Sequence, residues 1–268
     1  MAIEAAALLA AAGLPRREAR ALLAHVLAVP REALIADPQR PVPTAAAARF
    51  AQLAQRRRAG EPLAYLLGYC EFYGRPFAVN AAVLVPRPET ETLVQLALAR
   101  LRQMAAPWVL DLGTGSGCVA VTLALECAAA TVLASDVSSA ALAVARANAH
   151  RLGAQVAFFQ GDWLAAVRGP FDLIVSNPPY VAAGDPHLAA LRFEPAAALI
   201  GGDDGLAALR AIIKAAPSSL RSGGWLLVEH GYDQAAAVRA LLRGAGFGAI
   251  TTTRDAAGIE RVTSAQAG

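Results

Sequence analysis

From Pro107 onward, short apolar runs alternate with longer helix-forming stretches, and few folds accept that alternation. Trp108–Leu112, Thr131–Ser135, Val156–Phe159, Phe171–Ser176 and Trp225–Glu229 read as buried strands. Between and after them, Cys118–Glu126, a stretch from Ser138 or Ser139 to Arg151, Leu206–Leu220 and Gln234–Ala245 read as helices. Repeated strand–helix units give a parallel sheet covered by helices on both faces. Ala249–Thr253 and Ile259–Val262, joined by the Asp255–Gly258 turn, add two last strands. The expected fold is therefore α/β, with a Rossmann-like, seven-stranded, mostly parallel sheet. Ala182–Asp204 interrupts the pattern and reads as a long loop.

The ends of these strands carry the chemistry. Asp111-Leu-Gly113-Thr114-Gly115-Ser116-Gly117 follows the first strand and opens a helix. Glycines let backbone turn sharply and approach a ligand, so a nucleotide is the expected guest. The spacing is G-x-G-x-G, not the G-x-G-x-x-G of dinucleotide sites. Asp111 beside the loop would repel a pyrophosphate but can accept from the ammonium of S-adenosylmethionine, which favours that cofactor. Asp136 ends the second strand, where a carboxylate can accept from ribose hydroxyls. Asp162 and Trp163 follow the third, placed to bond an adenine amino group and pack on its ring. Singly, each residue is as well explained by loop capping or core packing; together with the fourth strand they are not.

That fourth strand ends in Ser176-Asn177-Pro178-Pro179-Tyr180. Two prolines fix the exit from the sheet in one rigid shape. The Asn177 amide oxygen and the Pro178 carbonyl are two neighbouring acceptors, and Tyr180 offers a flat face. Two acceptors converging on one point suit a planar –NH2 group.

Other classes are disfavoured. The net charge is +3 with no long block of one sign, and Arg56-Arg57-Arg58 reads as a solvated helix face, so no direct nucleic-acid recognition is expected. Cys70, Cys118 and Cys127 show no C-x-x-C spacing, and His25, His150, His187 and His230 are scattered. Neither a disulfide framework nor a metal site is expected, which fits a reducing cytoplasm. Met1–Leu14 is apolar, but Glu4 interrupts it, so no signal peptide is read. No run is long enough to span a bilayer.

Residues 1–60 read as all-helical, with segments around Ile3–Ala11, Glu18–Leu27 and Arg31–Ile35, and a helix to Arg58 capped by Thr44. This unit carries no chemistry of its own; recognising a partner or bracing the larger domain is its expected role. Residues 61–90 form an aromatic-rich connector, with hairpin character over Glu71–Val79 around Gly74. Thr90 or Glu89 starts the next helix, Thr92–Met104, and 91–268 form the large domain.

These residues together resemble the class I methyltransferases that modify a glutamine side chain, specifically the release-factor glutamine methyltransferases of the HemK/PrmC type. The resemblance rests on Gly60–Tyr65, Glu71–Gly74, Val85–Glu91, Asp111–Gly117, Gly161–Trp163, Ser176–Tyr180, Asp185–Leu188, Arg192–Pro195 and Glu229–Gly231. It covers most of the chain, although the stretch between His187 and Phe193 is a little shorter than the family pattern. It implies that Gly113–Gly117, Asp136 and Trp163 contact S-adenosylmethionine. It also implies that Asn177–Tyr180 hold the glutamine of the Gly-Gly-Gln motif of peptide-chain release factors, methylated on N5. A cytoplasmic monomer acting on that protein substrate is expected. The alternatives are a sister enzyme acting on a ribosomal-protein glutamine, an adenine-N6 DNA or RNA methyltransferase holding a flipped base in the same motif, and a non-catalytic binding protein that kept the fold.

Overall fold

The computed structural model describes residues 3–102 and 104–268. Gln103, inside the expected helix Thr92–Met104, lies outside them, as do Met1 and Ala2. The chain divides into two compact units, Met1–Tyr69 and Cys70–Gly268.

The first unit contains β1 (Ile3–Glu4), α1 (Ala5–Ala11), α2 (Arg16–Leu27), α3 (Ala33–Ala36), β2 (Pro41–Val42), α4 (Thr44–Arg58) and α5 (Leu63–Leu67). It is not all-helical: β1 and β2 pair antiparallel, with Ile3 opposite Val42. Thr44 is the first residue of α4 rather than its cap, because Pro43 occupies the N-cap position with extended backbone. Leu66 and Leu67 of α5 are buried in the same core as Leu22, Leu23, Phe50 and Leu53. Residues 63–67, assigned to a connector from sequence, therefore pack within this unit.

A hairpin follows, β3 (Tyr69–Phe72) and β4 (Arg75–Ala78). Its turn residues Tyr73 and Gly74 both have positive φ, 51° and 69°, the pattern whose twist suits paired strands. The second unit continues with α6 (Glu91–Leu101), β5 (Trp108–Leu112), α7 (Cys118–Glu126), β6 (Thr131–Asp136), α8 (Ser139–Leu152) and β7 (Val156–Gln160). It ends with β8 (Phe171–Ser176), α9 (Ala207–Ala215), β9 (Leu220–Glu229), α10 (Ala235–Gly244), β10 (Gly248–Arg254) and β11 (Glu260–Gln266). The sheet has seven strands in the order β10-β11-β9-β8-β5-β6-β7. Six strands run in one direction, and β11 runs antiparallel between β9 and β10.

Side-chain alternation sorts the core into two layers. Val109, Leu173, Val175 and Leu227 face one side with α6 and α7. Leu110, Leu112, Ile174, Leu226 and Val228 face the other with α9 and α10. Strands buried on both faces read as continuous apolar runs, which is why these were visible in the sequence. The expected helix Leu206–Leu220 is shorter than read: Pro217 follows α9 in a 3₁₀ turn, and Leu220 already belongs to β9. Ser138 is the residue that caps α8, its hydroxyl accepting from Ala141 N at 3.1 Å.

The 182–204 insert is a closed loop with two 3₁₀ turns, Pro186–Ala189 and Ala196–Ala198. Its ends meet through a parallel bridge between Val181 and Ile200. Two glycines let the returning chain lie on the proline segment. A Cβ on Gly201 would stand 2.5 Å from the Pro179 carbonyl oxygen, and one on Gly205, where φ is +73°, would run into the Tyr180 carbonyl. Gly205→Ala is therefore expected to destabilise the fold by ~1–3 kcal/mol, read as a lower thermal midpoint. A midpoint equal to the parent's would contradict this close approach.

Candidate active site

Chain order along the sheet reverses at β5: β6 and β7 follow on one side, β8 and β9 on the other. Ligands in open α/β sheets bind outside the carboxyl ends of strands at such a switch point. A cleft lies there, and most of the residues picked out from the sequence line it. Asp111, Gly113, Thr114, Gly115 and Ser116 form one wall, and Asp136, Asp162 and Trp163 another. Asn177 and Pro179 form a third.

The glycine loop is held by its own polar groups. Gly113, Gly115 and Gly117 have φ of 70°, 55° and 80°, conformations that a side chain resists, which explains their every-second-residue spacing. Thr114 Oγ1 donates to Asp111 Oδ2 at 2.7 Å, and Ala120 N donates to the same oxygen at 3.2 Å. Gly115 N donates to Asp136 Oδ2 at 2.9 Å, and Ser138 N to Asp136 Oδ1 at 2.9 Å. Each Asp136 oxygen thus makes one backbone bond and keeps a lone pair free. Asn148 of α8, fully buried, donates to the Ser116 carbonyl at 2.9 Å and exchanges bonds with both backbone groups of Ala78.

Gly117, Pro178 and Tyr180 are not walls of the cleft. Gly117 is the N-cap of α7, where a Cβ would press on Ala145 of α8, so its place is in helix packing. Pro178 is buried. The Tyr180 hydroxyl points to Glu229, donating to its Oε1 at 3.3 Å. Trp163 adopts φ of +46°, a strained conformation for a bulky residue. Its indole lies along Gly113, where a Cβ would stand 3.3 Å from Cζ3.

The sequence reading missed Val83, Leu84, Val137, Ala197 and Ala198 at this cleft. Val137, just after Asp136, is exposed beside the cleft, and Val83, Leu84 and Pro86 enclose it from another direction. Pro195, Ala197 and Ala198 bring the insert onto its rim. Glu194 fixes them there: its buried carboxylate accepts from Arg87 Nη2 at 2.5 Å and from Val85 N at 3.0 Å. Thr90, read as a helix start, does occupy the N-cap position of α6, but its side chain makes no capping bond; its Oγ1 accepts from Asn177 Nδ2 at 3.0 Å. An exposed valine at a strand end was a usable signal. The Thr90–Asn177 pair gave none, being 87 residues apart.

Two buried carboxyls give the site its electrostatic character. Burial pushes Asp111 up to about 7, opposed by donation from Thr114 and Ala120 and reinforced by Asp136. Burial likewise pushes Glu229 up to about 7, opposed first by the Thr90 hydroxyl. Among the described residues no cluster of side chains could hold a metal ion, and no helix is long and apolar enough to cross a membrane.

The fold and cleft define the class I, Rossmann-like methyltransferases. Residues 90–253 match the family described as "Methyltransferase small domain", and 2–68 match "PrmC N-terminal domain". A methyltransferase from Pyrococcus furiosus shares the fold, with a TM-score of 0.58 at 18% identity over 81% of this chain and 99% of its own. S-adenosylmethionine is the cofactor of the class. The chain belongs, more narrowly, to the release factor glutamine methyltransferases. It is 55% identical to the Bordetella pertussis member over 96% of each chain, and 50% identical to the Neisseria gonorrhoeae member over 93% of each.

The sign of the Asp111 shift yields a stability prediction. The folded chain binds more protons than the unfolded one between the ordinary value of 3.8 and about 7, so this group makes stability fall as pH rises through that window. Asp111→Asn should therefore raise the thermal midpoint of the cofactor-free protein at pH 8 and leave it nearly unchanged at pH 4. An equal shift at both pH values would count against a buried, reluctantly ionised Asp111.

Proposed function

We propose that this chain transfers a methyl group from S-adenosylmethionine to the N5 side-chain nitrogen of the glutamine in the Gly-Gly-Gln motif of peptide-chain release factors. The observation that carries the reading is Asn177, set at the tip of the central strand β8 beside the glycine loop and lining the same cleft, its Nδ2 already committed to Thr90. The free end of that carboxamide is an oxygen, and the Pro178 carbonyl follows it in the chain.

The cleft fits the cofactor. Its lining mixes apolar groups (Val83, Val137, Trp163) suited to a nucleoside ring with carboxylates suited to its polar ends. Asp136, with lone pairs to spare, is assigned to the ribose hydroxyls, and Asp162 to the adenine amino group. Asp111 is assigned to the ammonium, whose charge favours the ionised form that burial alone disfavours. Gly113–Ser116 bring backbone close to the amino-acid end.

S-adenosylmethionine supplies an electrophilic methyl on a sulfonium, so transfer requires mainly in-line positioning of the nucleophile. An amide nitrogen is a poor nucleophile because its lone pair is delocalised. Asn177 Oδ1 and the Pro178 carbonyl accept its two N–H bonds, orient the nitrogen and stabilise positive charge as it develops there. Pro179 flanks the amide plane, and Tyr180 packs behind it against Glu229. The amide proton leaves to water afterwards, and no strong base is required. Arg87, held by Glu194, and Glu89 shape the pocket, and Phe193-Glu194-Pro195 closes the substrate channel. The helical unit recognises the release factor, the protein works as a cytoplasmic monomer, and it makes no direct nucleic-acid contact of its own.

Tritiated S-adenosylmethionine with a purified, unmethylated release factor tests the reading. Label is expected on that factor, and none on a version with Gln→Ala in Gly-Gly-Gln or on duplex DNA. Label on either control would overturn it. Asn177→Ala should slow transfer about 100-fold or more with cofactor affinity nearly intact; equal loss of both would remove Asn177 from the chemistry.

A further inference from the structure

Behind Asn177 lies a chain of polar side chains that core packing does not require. Thr90 is buried on the Pro88–Thr90 turn that enters α6, and its Oγ1 accepts from Asn177 Nδ2. Glu229 ends β9 and is fully buried. Its Oε1 accepts from the Tyr180 hydroxyl, while Oε2 is buried without a partner in hydrogen-bonding geometry. The Thr90 hydroxyl lies close to the same carboxyl, outside hydrogen-bonding geometry, and is the strongest influence holding that group's pKa down. A carboxyl that an apolar side chain would replace at no loss to the core invites a different explanation.

Donor counting fixes the direction of this chain. An ionised carboxylate only accepts, so Tyr180 donates to Glu229, and the Thr90 hydroxyl, which accepts from Asn177, has its single proton free to turn toward the orphaned Oε2. Thr90 then has only lone pairs to offer Asn177, and Asn177 must present its NH2 to Thr90. Its Oδ1 is left for the cleft. Remove the Thr90 hydroxyl, and the carboxamide can turn over about its last torsion. The shape stays the same, but an NH2 then meets the NH2 of the substrate.

We infer that Thr90 and Glu229 are positioning residues, a relay that holds Asn177 with its carbonyl oxygen toward the substrate nitrogen. The inference rests on the reading of Asn177 given under Proposed function. Protonation of Glu229 would reverse the relay, since a neutral carboxyl can donate to Thr90 and free its proton for Asn177. The groups facing Glu229 are Glu89 and Thr90 before α6, Tyr180 after β8, Arg261 on β11 and Cys118 on α7. Burial places the carboxyl at about 7, Glu89 adds to the rise, and Arg261 and Tyr180 oppose it. The ionised form is the aligned one, so turnover falls as pH drops through that value.

The test uses the full chain, saturating cofactor and a purified unmethylated release factor, with cofactor affinity measured separately by calorimetry. Thr90→Val is expected to lower kcat about tenfold or more with the cofactor Kd within about twofold of the parent, and Thr90→Ser to restore most of it. The parent is expected to show an acid limb near pH 7, and Glu229→Gln to lower kcat and abolish that limb. A Thr90→Val enzyme as fast as the parent overturns the relay, as does a serine variant as slow as the valine one. If Thr90→Val fails to bind cofactor, Glu229→Gln decides: a persisting acid limb overturns the inference. A parent that leaves the Gly-Gly-Gln glutamine unlabelled instead sinks the functional reading itself.

Discussion

The register of β5 against β8 is the constraint on which the site depends. Leu112 pairs with Ser176, and the Ser176 hydroxyl donates to the Leu112 carbonyl at 2.8 Å. The next residues out are Gly113 on one strand and Asn177 on the other. The glycine loop and the carboxamide therefore leave the sheet side by side, one turning toward α7 and the other fixed by two prolines. Because side chains alternate with period two, a slip of one residue would send Asn177 to the opposite face and exchange the two core layers. The apolar alternation of Val109, Leu110, Leu173 and Ile174 is thus what aligns the chemistry.

Around that pair the molecule spends stability on order. Asp111 and Glu229 are carboxyls in places where burial resists ionisation, and Trp163 sits at a backbone angle that bulky residues avoid. Groups so placed cluster at functional sites because the surrounding fold over-determines them. Asp111 and Asp136 brace the glycine loop from two strand ends, and Asn148 holds it from α8. Glu194 ties the insert to the backbone of Val85 and the side chain of Arg87, so the cleft's rim is built from segments over a hundred residues apart.

Much of this was legible in the chain. Trp108–Leu112 and Phe171–Ser176 have the bounds that local pattern gave them, because a strand buried on both faces is a continuous apolar run, and the helix Cys118–Glu126 between them was read with its observed bounds too. The strand-end residues were legible because they are sequence neighbours of those strands. Misreadings came where local preference met a distant partner. The two-residue strands β1 and β2 exist only because Ile3 meets Val42, and Leu220 joined β9 because Phe171 stands beside it.

The sequence by itself determined the element order, the glycine loop, the acidic strand ends and the Asn-Pro-Pro-Tyr motif, since each is written in adjacent residues. Only the tertiary structure decided which end of the Asn177 carboxamide is committed, that Tyr180 turns to Glu229 and that the Thr90 hydroxyl bonds Asn177 instead of capping α6. The physical reason is that a hydrogen bond between side chains 49 or 87 residues apart leaves no period, spacing or propensity in the chain; packing alone brings its two ends together.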